Sequence, residues 1–209
     1  MKGTVTDMTV NSCEIKDEKS CSGCRVALLI VRYPEIEGKE KLSTLFRSKS
    51  ESFSKFVREK AFQKAEAEFN SFMESGGRRS LFPQKEYRMS ITIISEHGRY
   101  ISVKDEIISV SGGIIKSYAL DIRTWDVETE TVCGLSDFIS YKPKAHYDGF
   151  YLRGGRPTLY SVNDLWKNGE CRMRDVKRFF SEIKAPEANG VRKRSRFADL
   201  FNGKHNKNG

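Results

Sequence analysis

Residues 42–74 read LSTLFRSKSESFSKFVREKAFQKAEAEFNSFME, and the placing of their apolar side chains decides the fold class. Leu42, Leu45, Phe46, Phe53, Phe56, Val57, Ala61, Ala65, Phe69, Phe72 and Met73 recur at helical spacing, with a drift near residue 60. That spacing predicts a long amphipathic helix. The polar stretch 47–52 predicts an interruption, with Ser50 or Ser52 capping a second segment. Gly76-Gly77 predicts the stop. The phenylalanines read as a core face packed on a sheet rather than as ligand contacts.

Strands flank the helix. Residues 24–33 are nearly all apolar, as in a strand buried on both faces, and Pro34 is expected to end it because proline cannot donate to a ladder. Residues 4–15 alternate as an earlier strand, with Val5, Met8 and Val10 as its apolar positions. Downstream, Tyr87, Met89, Ile91 and Ile93 alternate with Arg88, Ser90 and Thr92, the period of a half-buried strand. His97-Gly98 predicts a hairpin turn into a strand over 100–110, which Lys104-Asp105-Glu106 interrupts. Gly112-Gly113 allows a bulge or bend in the sheet. Residues 114–125 give a further strand that resumes at Thr131-Val132-Cys133, and 135–139 read as short and helical. Phe150-Tyr151-Leu152, Gly154-Gly155 and Thr158-Leu159-Tyr160 predict another hairpin, and residues 175–183 a closing helix or strand. The fold class is α+β, a long helix packed on an antiparallel sheet. An N-terminal strand and Cys-bearing segment takes residues 1–23. The α+β domain takes 24–184, with its helical half to about 80 and its sheet half from 81, and a disordered basic tail takes 185–209.

Charge is unevenly placed along the 209 residues. The net charge is +9 and the pI about 9.3, yet from Lys184 to the end seven Lys/Arg face only Glu187 and Asp199, which is +5 in 26 residues. Arg192-Lys193-Arg194-Ser195-Arg196 could attract nucleic acid or an anionic membrane surface, or simply keep the chain solvated. Just beyond, Phe197, Leu200 and Phe201 fall on one face of a helical turn, the pattern of a short docking segment. No apolar run approaches the roughly 18–20 residues needed to cross a bilayer, and the start lacks the apolar core of a secretory signal. A cytoplasmic protein is expected from the sequence as written, or an envelope protein if an export signal has been removed.

Catalytic and metal signatures are sparse. Asp121, Asp126, Asp137, Asp148 and Asp164 supply carboxylates, but no GxSxG motif accompanies them. Gly154-Gly155-Arg156-Pro157 lacks the Lys-Ser/Thr of a phosphate-binding loop. Cys21-Ser22-Gly23-Cys24 is a CxxC pair with Cys13 eight residues upstream, so Cys13, Cys21 and Cys24 are the candidate metal ligands. A zinc site would still need a distant fourth group, and His97, His146 and His205 are scattered. Free thiols with a turn at Ser22-Gly23 are the default, and no cofactor is expected.

The order of several small motifs carries a resemblance. Gly112-Gly113 leads into a strand with Asp121, then Thr129, then Leu135-Ser136-Asp137-Phe138. Phe150-Tyr151-Leu152, Gly154-Gly155 and Trp166 followed by Gly169 continue the series. This resembles the domain-of-unknown-function family 3298 of Gram-positive bacteria. Upstream, Val31-Arg32-Tyr33-Pro34-Glu35-Ile36 before a long helix is similar to its companion, family 4163. The resemblance covers about residues 24–184. It implies an α+β fold and an envelope setting, since relatives include a lysozyme-sensing anti-sigma factor ectodomain and accessory domains of peptidoglycan deacetylases. It also implies that Gly112, Gly113, Asp121, Leu135, Asp137 and Phe138 are structural.

The expected function is a non-catalytic binding domain that recognises a lysozyme-like protein or a cell-wall glycan. Tyr147, Tyr151, Arg153, Arg156, Tyr160 and Trp166 are its candidate contacts, because aromatic rings and arginine are enriched at binding hot spots. The alternative is an intracellular nucleic-acid-binding protein that uses the basic tail. Five cysteines, an odd number, predict a reducing compartment with every thiol free. Titration of denatured protein, purified anaerobically from its native host, should therefore count five sulfhydryls. A count of three or one would place structural bridges in the chain and point to the envelope.

Overall fold

The computed structural model describes residues 8–144 and 146–161. Two long strands open the fold, β1 (Val10–Cys21) and β2 (Cys24–Ile36), paired antiparallel across a turn at Ser22-Gly23. An unbroken helix follows, built of α1 (Glu40–Phe56), a π turn (Val57–Ala61) and α2 (Phe62–Glu74). Strands β3 (Lys85–His97), β4 (Tyr100–Ser111), β5 (Ile114–Asp126) and β6 (Thr131–Val132) complete a six-stranded sheet in the order β1-β2-β3-β4-β5-β6. A separate hairpin of β7 (Gly149–Arg153) and β8 (Arg156–Tyr160) comes last. The expected tail over 185–209 and the closing segment over 175–183 lie outside the described residues.

The fold is α+β, but its sheet is mixed, which corrects the antiparallel sheet expected from the sequence. β2 and β3 run parallel, from Ala27 opposite Lys85 to Arg32 opposite Ser90, and the other neighbouring strands are antiparallel. The helix is the cause. It carries the chain back along the sheet, so the next strand starts from the same end as the last. The strand expected over 4–15 begins, among the described residues, at Val10 and continues to Cys21 as part of this same sheet. Pro34 does not end β2, which runs to Ile36. Pairing with β3 has already stopped at Arg32, so Pro34, opposite Ser12, has a ladder on the β1 side only. Gly112-Gly113 is a two-residue hairpin turn between β4 and β5 rather than a bulge, with both φ angles positive (57° and 79°), as a type I′ turn requires.

The helix lays one face on the sheet. Leu42, Phe46, Phe53, Val57, Ala61, Ala65 and Phe69 meet Leu29 and Val31 of β2, Met89 and Ile91 of β3, and Ile107 of β4 in one core. Steps of four residues from Phe53 to Phe69 would carry this stripe about 160° round an ideal helix. The π turn absorbs one residue and takes back about 100° of that rotation, which keeps Ala65 and Phe69 over the sheet. The spacing drift near residue 60 has this origin. Beyond Glu74 the N–H of Gly76 bonds Met73 O and that of Gly77 bonds Phe72 O, the paired closure of a Schellman motif.

Residues 47–52 do not interrupt the helix as expected. Ser50 and Ser54 are fully buried, and Ser54 Oγ turns back to donate to Ser50 O at 2.7 Å. Nor do Lys104-Asp105-Glu106 interrupt β4. Lys49 Nζ meets Asp105 Oδ2 at 2.6 Å, with each side chain 6% exposed. Burial pushes the Asp105 carboxyl up, and the Lys49 ammonium pulls it back. Asp121 lies directly opposite Asp105 on β5 and is covered by Arg123 at 2.6 Å, so the like charges are separated by matched cations. Exposed pairs along the helix rim, such as Arg58–Asp17 and Lys19–Glu66, contribute much less.

Removing one member of the buried pair leaves the other uncompensated. Lys49→Met is expected to lower the unfolding free energy by about 3–5 kcal/mol. Lys49→Met combined with Asp105→Leu should recover most of that loss, because no charge then remains buried. Urea denaturation of the two variants is the measurement, and a single variant as stable as the parent chain would refute the role given to the pair.

Candidate binding surface

The β7–β8 hairpin sits on the sheet face opposite the helix. Side chains alternate along a strand, so Asp105 and Trp125 point to the helix while Ser102 and Thr124 point away from it. Those two hydroxyls are almost wholly buried and hydrogen-bond each other at 3.0 Å. Leu152 N donates to Ser102 Oγ at 2.9 Å, and Thr124 Oγ1 donates to Phe150 O at 3.5 Å. Small hydroxyl side chains let the β7 backbone approach the sheet this closely. Phe150 and Leu152 bury their side chains beneath it.

Tyr160 fastens the other end. Its hydroxyl accepts the Ile122 N–H at 2.9 Å and donates to Ile122 O at 3.3 Å, at the edge of β5 not paired with β4. The ring lies over Gly149, where a side chain would strike it. Burial raises the phenol's pKa, so it stays protonated and able to donate. Of the contacts expected from the sequence, Tyr160 is thus a buried structural ring, 6% exposed. Trp166 lies outside the described residues. Tyr147 is half-buried just before the hairpin.

Tyr151, Arg153 and Arg156 come together. Tyr151 pairs with Thr158 and Arg153 with Arg156, so all four share one face of the hairpin, which is buried at its Tyr160 end and exposed at its turn end. Both arginines are exposed, and Tyr151 is half-buried beside them. The turn between them, Gly154-Gly155, has positive φ at both positions (54° and 76°). Gly155 also needs to be glycine because a Cβ there would strike the His97 ring. The β3–β4 turn is thereby packed against the β7–β8 turn, and His97 joins the surface. His97-Gly98 was legible in the sequence as a turn, but nothing local signalled its meeting with Gly155.

The residues that carry the resemblance serve the packing around this surface. Asp137 Oδ2 accepts the Gly134 N–H at 2.7 Å and closes a short 3-10 turn over Leu135–Asp137, with Leu135 half-buried. Phe138 packs edge-on to Tyr100 at 5.1 Å and tilts against Phe150 at 5.6 Å, which ties the motif to the hairpin. Gly112 donates its N–H to Gln84 O at 3.0 Å and packs on Pro83. Asp121 is occupied by Arg123.

The candidate metal ligands separate. Cys21 and Cys24 face each other across the β1–β2 turn, whereas Cys13 lies eight residues along β1, about 27 Å away at strand rise, beside Tyr33. Burial pushes the Cys21 thiol up, and the nearby Glu66 carboxylate adds to this. Among the described residues no three ligating groups converge, and Cys13, Cys21, Cys24 and Cys133 are free. Also among these residues, no helix is long and apolar enough to cross a membrane.

No family model matches the chain, and no curated protein matches it. Its structure is similar to a DUF3298 family protein from Pseudomonas aeruginosa, with 12% identity and a TM-score of 0.42 over 64% of this chain and 58% of that one. It is similar to a DUF3298 family member from Bacteroides fragilis at the same identity and TM-score, over 64% of this chain and 61% of the other. The chain spans about three fifths of the length of these solved proteins. Both belong to the family that the motif order resembles.

Two measurements test the anchoring. Tyr160→Phe deprives the buried Ile122 N–H of its acceptor and should lower the unfolding free energy by about 1–3 kcal/mol. Unchanged denaturation would remove the anchoring role. The second concerns Asp126, which holds the β3–β4 turn through Arg99 at 2.8 Å. Burial pushes its carboxyl up, but hydrogen bonds from Arg99 and the N–H groups of Glu128 and Thr129 outweigh this, and its pKa falls below the ordinary value. The unfolded chain then takes up this proton first, so the stabilisation is complete above the unfolded pKa of about 3.9 and is lost as pH falls through the folded value. Asp126→Asn should flatten the decline of unfolding free energy below about pH 4, and a curve parallel to that of the parent chain would contradict the assignment.

Proposed function

We propose that the chain is a non-catalytic binding domain that recognises a protein or a cell-wall glycan through the turn end of the β7–β8 hairpin. The observation that carries this reading is the arrangement at the turn end of the hairpin. The β7 backbone is held by Ser102 and Thr124 and the far end by the buried Tyr160, while towards the turn the same face as Tyr160 aligns half-buried Tyr151 and Thr158 with exposed Arg153 and Arg156. A ring beside guanidinium groups supplies stacking area and directional donors on a backbone already held in place. The setting proposed with it, from the resemblance alone, is the envelope of a Gram-positive bacterium, and there the ligands to try first are lysozyme and peptidoglycan fragments.

A second reading, nucleic-acid binding in the cell interior, is favoured by the +5 charge of the last 26 residues. Phosphate contacts would make that affinity fall steeply with salt.

Titration calorimetry of the full chain with lysozyme and with soluble peptidoglycan fragments tests the first reading. Binding at micromolar concentration, weakened about tenfold or more by Tyr151→Ala, is the expected outcome for one of them. Failure of both removes it. A salt-dependent shift assay on the full chain, and on a chain ending at Lys184, tests the second. Loss of binding with the tail supports that reading, and no binding by either removes it.

A further inference from the structure

We propose that Arg153 and Arg156, beside the turn that His97 packs, form a receptor for the oxyanion of an acidic cell-wall polymer. This rests on the binding-domain reading above and names the group recognised, a carboxylate or a phosphate.

The register is the first argument. Arg153 and Arg156 are direct cross-strand partners beside a two-residue turn, which puts their Cβ atoms about 4.5–5.5 Å apart on one face. Like charges in that arrangement oppose each other and weaken the hairpin unless an anion lies between them. Arg32, Arg58 and Arg123 are each matched by a carboxylate, Glu14, Asp17 and Asp121, while Arg25 and Arg79 bond the Gln84 amide and the Ser22 carbonyl. Among the described residues neither Arg153 nor Arg156 has a carboxylate partner.

Geometry and charge supply the rest. A guanidinium presents a planar fork of N–H donors that fits two oxygens of a carboxylate or phosphate at once, and two forks can hold one group from both sides. The imidazole of His97 lies against Gly155 and packs the turn that carries both arginines. The backbone beneath is already fixed through Ser102 and Leu152, so little ordering is left for the ligand to induce. Tyr151, two residues back on the same face, places an aromatic ring where the rest of a polymer would run. A net charge of +9 draws polyanions towards the chain as a whole.

The test separates the receptor from the ligand. Arginine Nε–H resonances of the full chain are followed by NMR during titration with inorganic phosphate and with acetate. Arg153 and Arg156 should shift together and saturate, while Arg58, already paired, should not. If the two resonances do not move, the receptor is overturned, whatever the chain binds. Affinity for muropeptides carrying free carboxylates, and for wall teichoic acid carrying phosphodiesters, then tells which polymer supplies the oxyanion. Arg153→Gln and Arg156→Gln should each weaken that binding about tenfold, the scale of one charged hydrogen bond. Lys116→Gln removes the same charge from an exposed site elsewhere and should change it little. Tight binding of either polymer that survives the double arginine replacement would overturn the proposal and leave the binding domain standing. Saturating arginine shifts with phosphate but no binding of either polymer would sink the cell-wall assignment and leave an anion site.

Discussion

The buried contact between Lys49 and Asp105 is the constraint around which the fold is arranged. An ammonium and a carboxylate 2.6 Å apart, both nearly inaccessible to water, are costly to bury and far more costly to separate. Only one rotation and one translation of the helix over the sheet brings them together. Apolar contacts between Phe46, Phe53 and the sheet favour close packing but are not directional. The ion pair adds a directional contact within that packing. It also explains Arg123, which covers the second carboxylate, Asp121, that the β4–β5 pairing sets opposite the first.

With the helix so placed, the rest of the topology follows. The long return through α1, the π turn and α2 makes β3 a parallel neighbour of β2, and hairpins then add β4 and β5 in sequence. The π turn has a mechanical purpose. It lets a sequence with four-residue steps keep its apolar stripe on a flat partner over 35 residues of helix, instead of winding away from it.

The far face of the same sheet is prepared differently. Where the helix side is filled by large apolar side chains, the hairpin side offers hydroxyls at Ser102 and Thr124 and the backbone edge of Ile122. These polar anchors fix the hairpin by direction as well as by contact, through the β7 backbone and through Tyr160 at the end away from the turn. The turn end is thereby left to present Tyr151 and the paired arginines, on which the proposed recognition rests.

Much of this was legible in the residues. Alternation marks β3, the phenylalanine spacing marks the helix and even its drift at the π turn, and paired glycines mark the turns, because each signal is local to the backbone that obeys it. The motif order brought Phe138 and the hairpin into one series, though not the ring contact between Phe138 and Phe150. Three-dimensional pairing decided what the sequence could not express. The polar stretch around Lys49 reads as a break in a helix, and Lys104-Asp105-Glu106 reads as a break in a strand. Both are continuous, and for the same reason. Lys49 and Asp105, 56 residues apart, are the two halves of a single ion pair, each polar in its own segment and compensated only by the other. Arg153 and Arg156 show the converse: their likeness is plain in the chain, but only the hairpin register makes them opposed charges on one face.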